Sequence, residues 1–275
     1  MTFAGEVKGF NADQYIEKKE QKKMEEFIHF SIAASKMAVE MAKLDLTDAV
    51  KETTGAIIGV GIGGLQNIDD TAIKMKERGP GRISPFFIPS VITNLAAGQV
   101  SIALGLKGPN YSVTSACASG VHSIGDAVRY IRDGVADVML AGGAESTICG
   151  LAVGGFASMR ALSTRNDAPE KASRPWDKDR DGFVLAEGAA VLVVESLENA
   201  LKRGAKILCE ITGYGVSSDA YHMTSPAPEG AGGYAAMAMA VKDAGIKPSE
   251  IQYINAHGTS TCLLYTSDAA DEGLG

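Results

Sequence analysis

Residues 110–141 read NYSVTSACASGVHSIGDAVRYIRDGVADVMLA, and their pattern decides the fold class. The spacing predicts a strand over Asn110–Ala116, a helix over Gly120–Arg132 and a second buried strand over Ala136–Ala141. Val121, Ile124, Val128 and Ile131 recur at helical spacing and predict one apolar face for a sheet to cover. Strand, helix and strand in succession are the unit of an α/β fold with a buried, largely parallel sheet. The flanking sequence continues the alternation. Thr54–Val60 (TGAIIGV) predicts a strand running into glycines, and Asn67–Arg78 a helix stopped by Gly79-Pro80-Gly81. Gly182–Glu195 is strand-rich and leads to a short helix ending near Arg203-Gly204. Ile207–Ser217 and Ile251–Ala256 predict strands, Gly232–Ala244 a helix closed by Gly245, and Tyr15–Leu44 one long helix. The most polar stretch, Ser163–Asp181, reads as loop.

Composition narrows the function classes. The 275 residues carry 26 Lys plus Arg against 33 Asp plus Glu, a net charge of −7 that argues against broad nucleic-acid binding. Glycine is about one residue in nine and is scattered among apolar runs, which excludes collagen and flexible linkers. Cys117, Cys149, Cys209 and Cys262 are widely spaced with no C-x-x-C, which fits neither a disulfide framework nor a metal site and suggests a reducing compartment. Met1–Phe10 lacks a basic-then-apolar targeting pattern. Ile83–Leu106 is uncharged, but its prolines, serines, Asn94 and Gln99 suit buried protein core better than a membrane span. Between Arg82 and Asp126 Lys107 is the only charged residue, so this segment is either internal or covered by a partner.

Three motifs bear on chemistry. Gly59-Val-Gly61-Ile-Gly63-Gly64 follows a strand and precedes a helix, as a dinucleotide loop does. Such a loop needs an acidic residue ending a second strand about twenty positions later. Here that region is a helix ending in Arg78-Gly79-Pro80, so close backbone packing or substrate passage is the better reading. Cys117, in Thr114–Gly120 (TSACASG), stands where an uncharged strand turns into a helix among small neighbours. Local sequence admits two readings of it: a thiolate nucleophile favoured by the helix N-terminus, or an inert buried cysteine. His257, in Asn255–Thr261 (NAHGTST), follows an apolar strand, the end at which open α/β sheets place their sites. His29 lies in a helical pattern, His122 just after Cys117, and His222 in a polar segment suited to lining a pocket.

The strings SACASGVHSIGDA, DVMLAGGAES, GGFASMRALSTRND, SRPWDKDRDGFVLAEGAA, SSDAYHMTSPAPEGAG and NAHGTST resemble β-ketoacyl-acyl-carrier-protein synthases, most closely the elongating type II condensing enzymes, from about Phe3 to Thr261. The resemblance implies a thiolase-like fold of two related α/β halves in a layered α-β-α-β-α arrangement, the second half truncated. Residues 1–204 would be the first half without its first strand, 205–261 the start of the second, and 262–275 a non-native tail. The resemblance implies that Cys117 takes the acyl chain as a thioester and that His257 holds the malonyl thioester carbonyl during decarboxylation. Thr259 and Thr261 would contact the pantetheine arm, Thr224 would lie near its entrance, and Ile62 would line the acyl pocket. Acyl carrier protein would be the partner, with no cofactor, in a cytoplasmic homodimer. Lys18, Lys19, Lys22 and Lys23, a basic run in an acidic chain, would dock that acidic carrier together with Arg82 and Arg160; a solvated helix face is the other reading of the run.

Departures from the pattern set further expectations. The family has a buried strand and helix before the equivalent of Phe3. After the His257 motif it has a Lys-containing segment, a second catalytic histidine and a glycine-rich loop. None has a counterpart here, and Cys262–Gly275 (CLLYTSDAADEGLG) resembles translated sequencing adapter. The expectation is that the isolated chain performs no condensation and has doubtful solubility. A polyketide-type ketosynthase shares the same fold, nucleophile and histidine, and a non-catalytic fragment or partner subunit is the binding-class alternative. A cysteine protease would also place a histidine about 140 residues after its cysteine, but the flanks of Cys117 and the α/β pattern do not suit one.

Overall fold

The computed structural model describes residues 2–222 and 225–261. In chain order its regular elements are Lys18–Gln21 (α1), Glu26–Met41 (α2), Asp48–Thr53 (α3), Thr54–Gly59 (β1), Leu65–Arg78 (α4), Phe87–Val91 (α5), Leu95–Leu104 (α6), Asn110–Tyr111 (β2), Ser119–Arg132 (α7), Val138–Glu145 (β3), Gly150–Ser158 (α8), Gly188–Glu195 (β4), Leu197–Lys202 (α9) and Ala231–Ala244 (α10). The chain divides into two compact units. One, the sheet unit, comprises residues 5–153 and 186–208; the other comprises 2–4, 154–185 and the residues from 209 onward. No helix among the described residues is long and apolar enough to cross a membrane.

The sheet unit is built on strand order β2-β1-β3-β4. β1 pairs parallel with β2 and with β3, from Thr54 opposite Val138 to Gly59 opposite Gly143. β4 runs antiparallel to β3, because the chain leaves after β3 through the other unit and re-enters at Ala186 in the opposite sense. Both faces of the sheet are covered, which is why TGAIIGV is apolar throughout instead of alternating. Ala56, Ile58 and Val60 point to one side, where they join Phe27, Ile28 and Ile32 of α2 and Ala96, Ala97 and Val100 of α6. Ile57, Met139 and Ala141 point to the other, where α7 supplies Ala127. Burying a side chain of the size of Ile57 or Phe27 contributes about 1.5–3 kcal/mol.

Glycines set how closely α7 approaches this sheet. A Cβ on Gly59 would stand 2.3 Å from the carbonyl carbon and oxygen of Ser119, and one on Gly143 would stand 3.2 Å from Cα of Gly120. On the β4 side, a Cβ on Gly142 would stand 2.0 Å from the carbonyl oxygen of Ala190. Backbone therefore meets backbone across the β1–β3–α7 contact. The expected apolar face of α7 departs at one position: Val121 is 63% exposed, whereas Val128 is buried and Ile124 and Ile131 pack against the core beside the buried Ser119, Ser123, Gly125 and Ala127. Only small side chains fit where the helix lies against glycine.

Three other expectations change. The long helix over Tyr15–Leu44 is instead α1 and α2, separated because Glu25 is extended (φ −91°, ψ 166°) and sends its side chain to the start of α4. The strand over Asn110–Ala116 is shortened to β2, and the backbone turns at Ser115. The uncharged Ile83–Leu106 stretch is not wholly core: Ser90, Val91, Ala96, Ala97, Val100 and Leu106 are buried, whereas Ile88 and Ile102 are exposed. Two short helices each bury one side and leave the other uncovered.

In the second unit, Ala231–Ala244 ends as expected at Gly245, which is left-handed (φ 69°). The part of the Ile207–Ser217 segment in this unit packs on this helix so closely that a Cβ on Gly215 would stand 2.0 Å from the carbonyl oxygen of Ala236. It is not a strand, however. The Tyr214 N–H donates to Asp243 Oδ2 (2.9 Å) and the Val216 N–H to Met239 Sδ (3.5 Å), so helix side chains take up donors that a ladder would have used. Ile251–Ala256 likewise forms no ladder among the described residues. Apolar patterning marks a segment fit for a sheet, but pairing makes the strand.

The glycine contact makes a direct prediction. Gly59→Ala should cost about 1–3 kcal/mol or more by overpacking β1 against α7. Gly98→Ala, whose Cβ would meet only Leu95 Cδ1 at 3.6 Å within α6, should be neutral or stabilising. Urea unfolding of the two variants checks this, and a Gly59→Ala midpoint equal to the parent's would show that the approach is not limiting.

Candidate active site

Cys117 lies in a one-turn 3-10 segment, Ala116–Ala118, between the end of the β2 segment and the first residue of α7. The Val60 N–H donates to the carbonyl of Val113 (3.1 Å), which ties this segment to β1 just before the turn. Ala116 is left-handed (φ 51°), a conformation that costs a residue with a Cβ about 1–3 kcal/mol. Ser119 holds it there. Its buried hydroxyl accepts the Ser115 N–H (2.8 Å) and donates to the Ala116 carbonyl (2.7 Å). Ser115 Oγ also meets His122 Nδ1 at 2.7 Å, one turn into the helix. Cys117 is exposed, which removes the buried, inert reading of this cysteine. Its backbone opens a helix whose first N–H groups carry partial positive charge.

The glycine loop lies against this elbow. A Cβ on Gly61 would come within 3.5 Å of the Ala116 carbonyl oxygen and 3.0 Å of Glu145 Oε2. Glu145 ends β3, and its carboxylate accepts the N–H of Ile62 (2.7 Å) and of Gly63 (3.0 Å). The chain's own carboxylate thus fills the amide cradle that a nucleotide phosphate would need, and the dinucleotide pattern has no such role here. Burial pushes the Glu145 carboxyl up, and the amides of Gly63, Ile62, Gly61 and Ser146 oppose that shift. Ile62 itself is 41% exposed.

A second carboxylate backs the loop. Glu25 Oε1 accepts the Asn67 N–H (3.3 Å) at the start of α4, while Oε2 is buried without a hydrogen bond. A Cβ on Gly64 would stand 2.4 Å from that Oε2. Desolvation raises the Glu25 carboxyl to about 7, with Asp70 and Glu145 adding to the rise and the Asn67 amide opposing it. Sequence reading singled out neither carboxylate. The available signal was an acidic residue closing the otherwise uncharged run VMLAGGAE.

His257, Thr259 and Thr261 belong to the second unit, on a loop held by the polar stretch 163–182. The Ser260 carbonyl accepts the Gly182 N–H (2.9 Å), and the Ser260 hydroxyl accepts the Arg174 N–H (3.1 Å). Arg180 Nε donates to the Thr261 carbonyl (2.9 Å). Ser260 is buried and left-handed (φ 60°), and the hydroxyls of Thr259 and Thr261 are 3.0 Å apart. Beneath them Arg174 pairs with Asp181 (3.1 Å). Burial would raise the Asp181 carboxyl, but hydrogen bonds from Ser163 and Thr164 and the Arg174 charge hold it below the usual range. His257 is exposed at the end of this supported loop. Thr224 lies outside the described residues.

The basic run is less free than its sequence implies. Lys18 pairs with Asp13 (3.1 Å), Lys19 with Glu17 (2.9 Å) and Lys23 with Glu20 (2.8 Å), while Lys23 Nζ also sits 5.4 Å from the Phe86 ring centre. Among the described residues Lys22 makes no ion pair. Arg82 lines an open cavity of about 600 Å³ with Lys74 and Arg78, two cations that sequence reading passed over. Arg160 is exposed in the second unit. The remaining histidines have structural roles: His29 Nε2 meets the Gln21 carbonyl (3.1 Å), with burial lowering its pKa, and His222 Nδ1 accepts the Ser225 N–H (3.1 Å).

Glu25 makes stability depend on pH. Its carboxyl titrates near 7 in the folded chain against an ordinary 4.5, so between those values the folded state keeps a proton that the unfolded state has released. Stability therefore falls as pH rises through that window. Glu25→Gln should flatten the decline, as thermal melts from about pH 5 to 8 would read; an unchanged slope would assign it to other groups.

Residues 2–200 match the family model described as beta-ketoacyl synthase, N-terminal domain, and residues 208–266 the one described as beta-ketoacyl synthase, C-terminal domain. A 3-oxoacyl-acyl-carrier-protein synthase 2 from Vibrio cholerae is 52% identical over 259 residues, covering 94% of this chain and 63% of that protein. A solved beta-ketoacyl synthase from Burkholderia phymatum superposes with a TM-score of 0.91 at 35% identity, over 98% of this chain and 66% of that one. A ketosynthase bound to a hexaketide, solved in complex with a type II PKS acyl-carrier protein, gives 0.86 at 33% identity, over 90% and 62%. The fold is thus a thiolase-like α/β fold, and the chain spans about 63% of the length of its curated relative.

Proposed function

Since the chain belongs to the β-ketoacyl synthase family, we propose that the complete protein is a 3-oxoacyl-acyl-carrier-protein synthase of fatty acid elongation. The observation that carries this is the exposed Cys117 among small neighbours at a strained strand-to-helix turn. In this reading Cys117 Sγ attacks the acyl-carrier thioester, forming an enzyme thioester and releasing the carrier thiol. Malonyl-carrier then loses carbon dioxide. His257 donates a hydrogen bond to the thioester oxygen, where negative charge develops as the enolate forms. The enolate carbon attacks the Cys117 thioester carbonyl, and the thiolate leaves to regenerate the enzyme with a chain two carbons longer on the carrier. Atoms and charge balance without an external oxidant, reductant or cofactor.

Thr259 and Thr261 contact the pantetheine arm, with Thr224 near its entrance, and Ile62 lines the acyl pocket beside the elbow. Residues 1–204 form the first thiolase-like half and 205–261 the start of the second; the two family-model matches meet near that boundary. The complete protein works in the cytoplasm as a homodimer, a reading supported by the exposed, uncharged surface of Phe86, Ile88, Ile92, Ile102 and Val121. Acyl carrier protein docks on the basic residues. Exposed ion pairs of the Lys18–Asp13 kind contribute only about 0–1 kcal/mol, so an acidic carrier can exchange with them, and Lys22 and Arg82 are available outright. The higher identity to the Vibrio relative places fatty acid elongation ahead of a polyketide-type ketosynthase.

Incubating the complete protein with acyl-carrier protein should add the acyl mass to Cys117. Cys117→Ala should take none, and His257→Ala should still acylate but lose condensation by a hundredfold or more, on the order of what one oxyanion donor supplies. An unmodified Cys117, or an active Cys117→Ala, would sink the mechanism. Carrier-dependent rates should fall with added salt and in Lys22→Glu and Arg82→Glu, whereas rates with a small carrier-free thioester should not. Salt-insensitive rates would remove the docking assignment.

A further inference from the structure

We infer that Glu145 is a positioning residue for the acyl site: by binding the amides of the Gly61–Ile62–Gly63 loop it determines where Ile62 stands beside Cys117. The inference rests on the proposed role of Cys117 as acyl acceptor, and it adds a determinant of which acyl chains are accepted.

Away from Glu145 the loop is held at its ends, by the Val60 N–H on the Val113 carbonyl (3.1 Å) and by the burial of Gly63 and Gly64. Ile62 is 41% exposed, so packing does not fix its side chain. Gly61 has no side chain, and Gly63 is left-handed (φ 82°). The next anchor is the Gly64 N–H, which donates to the Val91 carbonyl at 3.1 Å. Glu145, in contrast, sits on a rigid support, since β3 pairs with β1 on one side and β4 on the other, up to Glu145 opposite Gly188. Both carboxylate oxygens are engaged, Oε2 by Ile62 and Oε1 by Gly63. Gly61 passes so near both Oε2 and the Ala116 carbonyl that a shift of the carboxylate is a shift of the wall next to the elbow. An anion in a cradle of converging amides is strongly bound, and here the anion is covalently part of the neighbouring strand.

Charge and shape can be separated by substitution. Glu145→Gln keeps one acceptor oxygen but turns the other into an NH₂ donor facing an N–H donor, so one of the two loop bonds is lost. Glu145→Asp keeps both oxygens and shortens the reach. The expected signature is a change in chain-length preference with little change in the chemistry of the smallest acyl group.

The test measures acyl transfer to Cys117 in the complete protein, with acetyl and with long-chain thioesters, alongside amide hydrogen exchange of residues 61–63. In Glu145→Gln the exchange should quicken by about tenfold or more, and the long-chain to acetyl rate ratio should shift by a similar factor, as for one lost hydrogen bond. Acetyl transfer should stay within about threefold of the parent. Combined with Ile62→Ala, Glu145→Gln should add no further shift, because both act through the same wall. Glu145→Asp gives the same readouts should the glutamine variant not fold. An unchanged rate ratio in an acylating enzyme, or shifts that simply add in the double variant, would overturn the positioning role alone. A parent protein whose Cys117 takes no acyl group would instead remove the functional reading, and this inference with it.

Discussion

The sheet unit depends on a contact without side chains, the approach of α7 to β1 and β3 through Gly59, Gly120 and Gly143. With a Cβ at Gly59 the helix would have to stand off from the sheet, and the turn that carries Cys117 would move with it. The close approach has several consequences. It places Ser119, Ser123, Gly125 and Ala127 among the buried positions of α7, and Val121 lies at the surface. The chain passes from β2 to α7 over residues 112–118, where Ala116 is left-handed and Ser119 holds the turn. The close approach also brings the Gly61 loop against the elbow, so that nucleophile and neighbouring wall share one piece of backbone packing.

The glycine loop of the sheet unit and the His257 loop of the second unit are each stabilised by groups from elsewhere in their own unit. In the sheet unit, Glu145 satisfies the glycine-loop amides, and Glu25 caps the start of α4 while remaining partly unsatisfied. In the second unit, the Arg174 and Gly182 N–H groups bind Ser260, the Arg180 side chain binds the Thr261 carbonyl, and Asp181 pairs with Arg174. Conformations such as those of Ala116 and Ser260 persist only where surrounding bonds over-determine them. The stretch 163–182 reads as a solvated loop because it is rich in charge, yet the Arg180 guanidinium binds the Thr261 carbonyl and Arg174 is paired with Asp181.

Much of the fold was legible where local chemistry and tertiary demand agree. β1 is a continuous apolar run bounded by glycine; α4 stops at Gly79-Pro80-Gly81; α10 stops at Gly245; α9 ends at Arg203. Where they disagree, the sequence misled. Residues 15–44 have helical spacing throughout, but the attraction of Glu25 to the amides of α4 breaks the run. Residues 207–217 have strand patterning, but α10 takes up their donors. The candidate site divides in the same way. Cys117 and His257 stand out in their small, polar motifs, whereas Glu145 is one acidic residue among many until the fold sets it beneath Ile62.

By itself the sequence determined the alternation of elements, the family and the residues able to do chemistry, because spacing, glycine placement and nucleophile type are local properties of the chain. Tertiary structure alone decided that β4 runs antiparallel and that the glycine loop is filled by Glu145. Those outcomes turn on hydrogen bonds between residues 82 or 83 positions apart and on a pairing of strands joined by a long crossover. Such contacts have no signature in local spacing, because packing sets them only once the chain has folded.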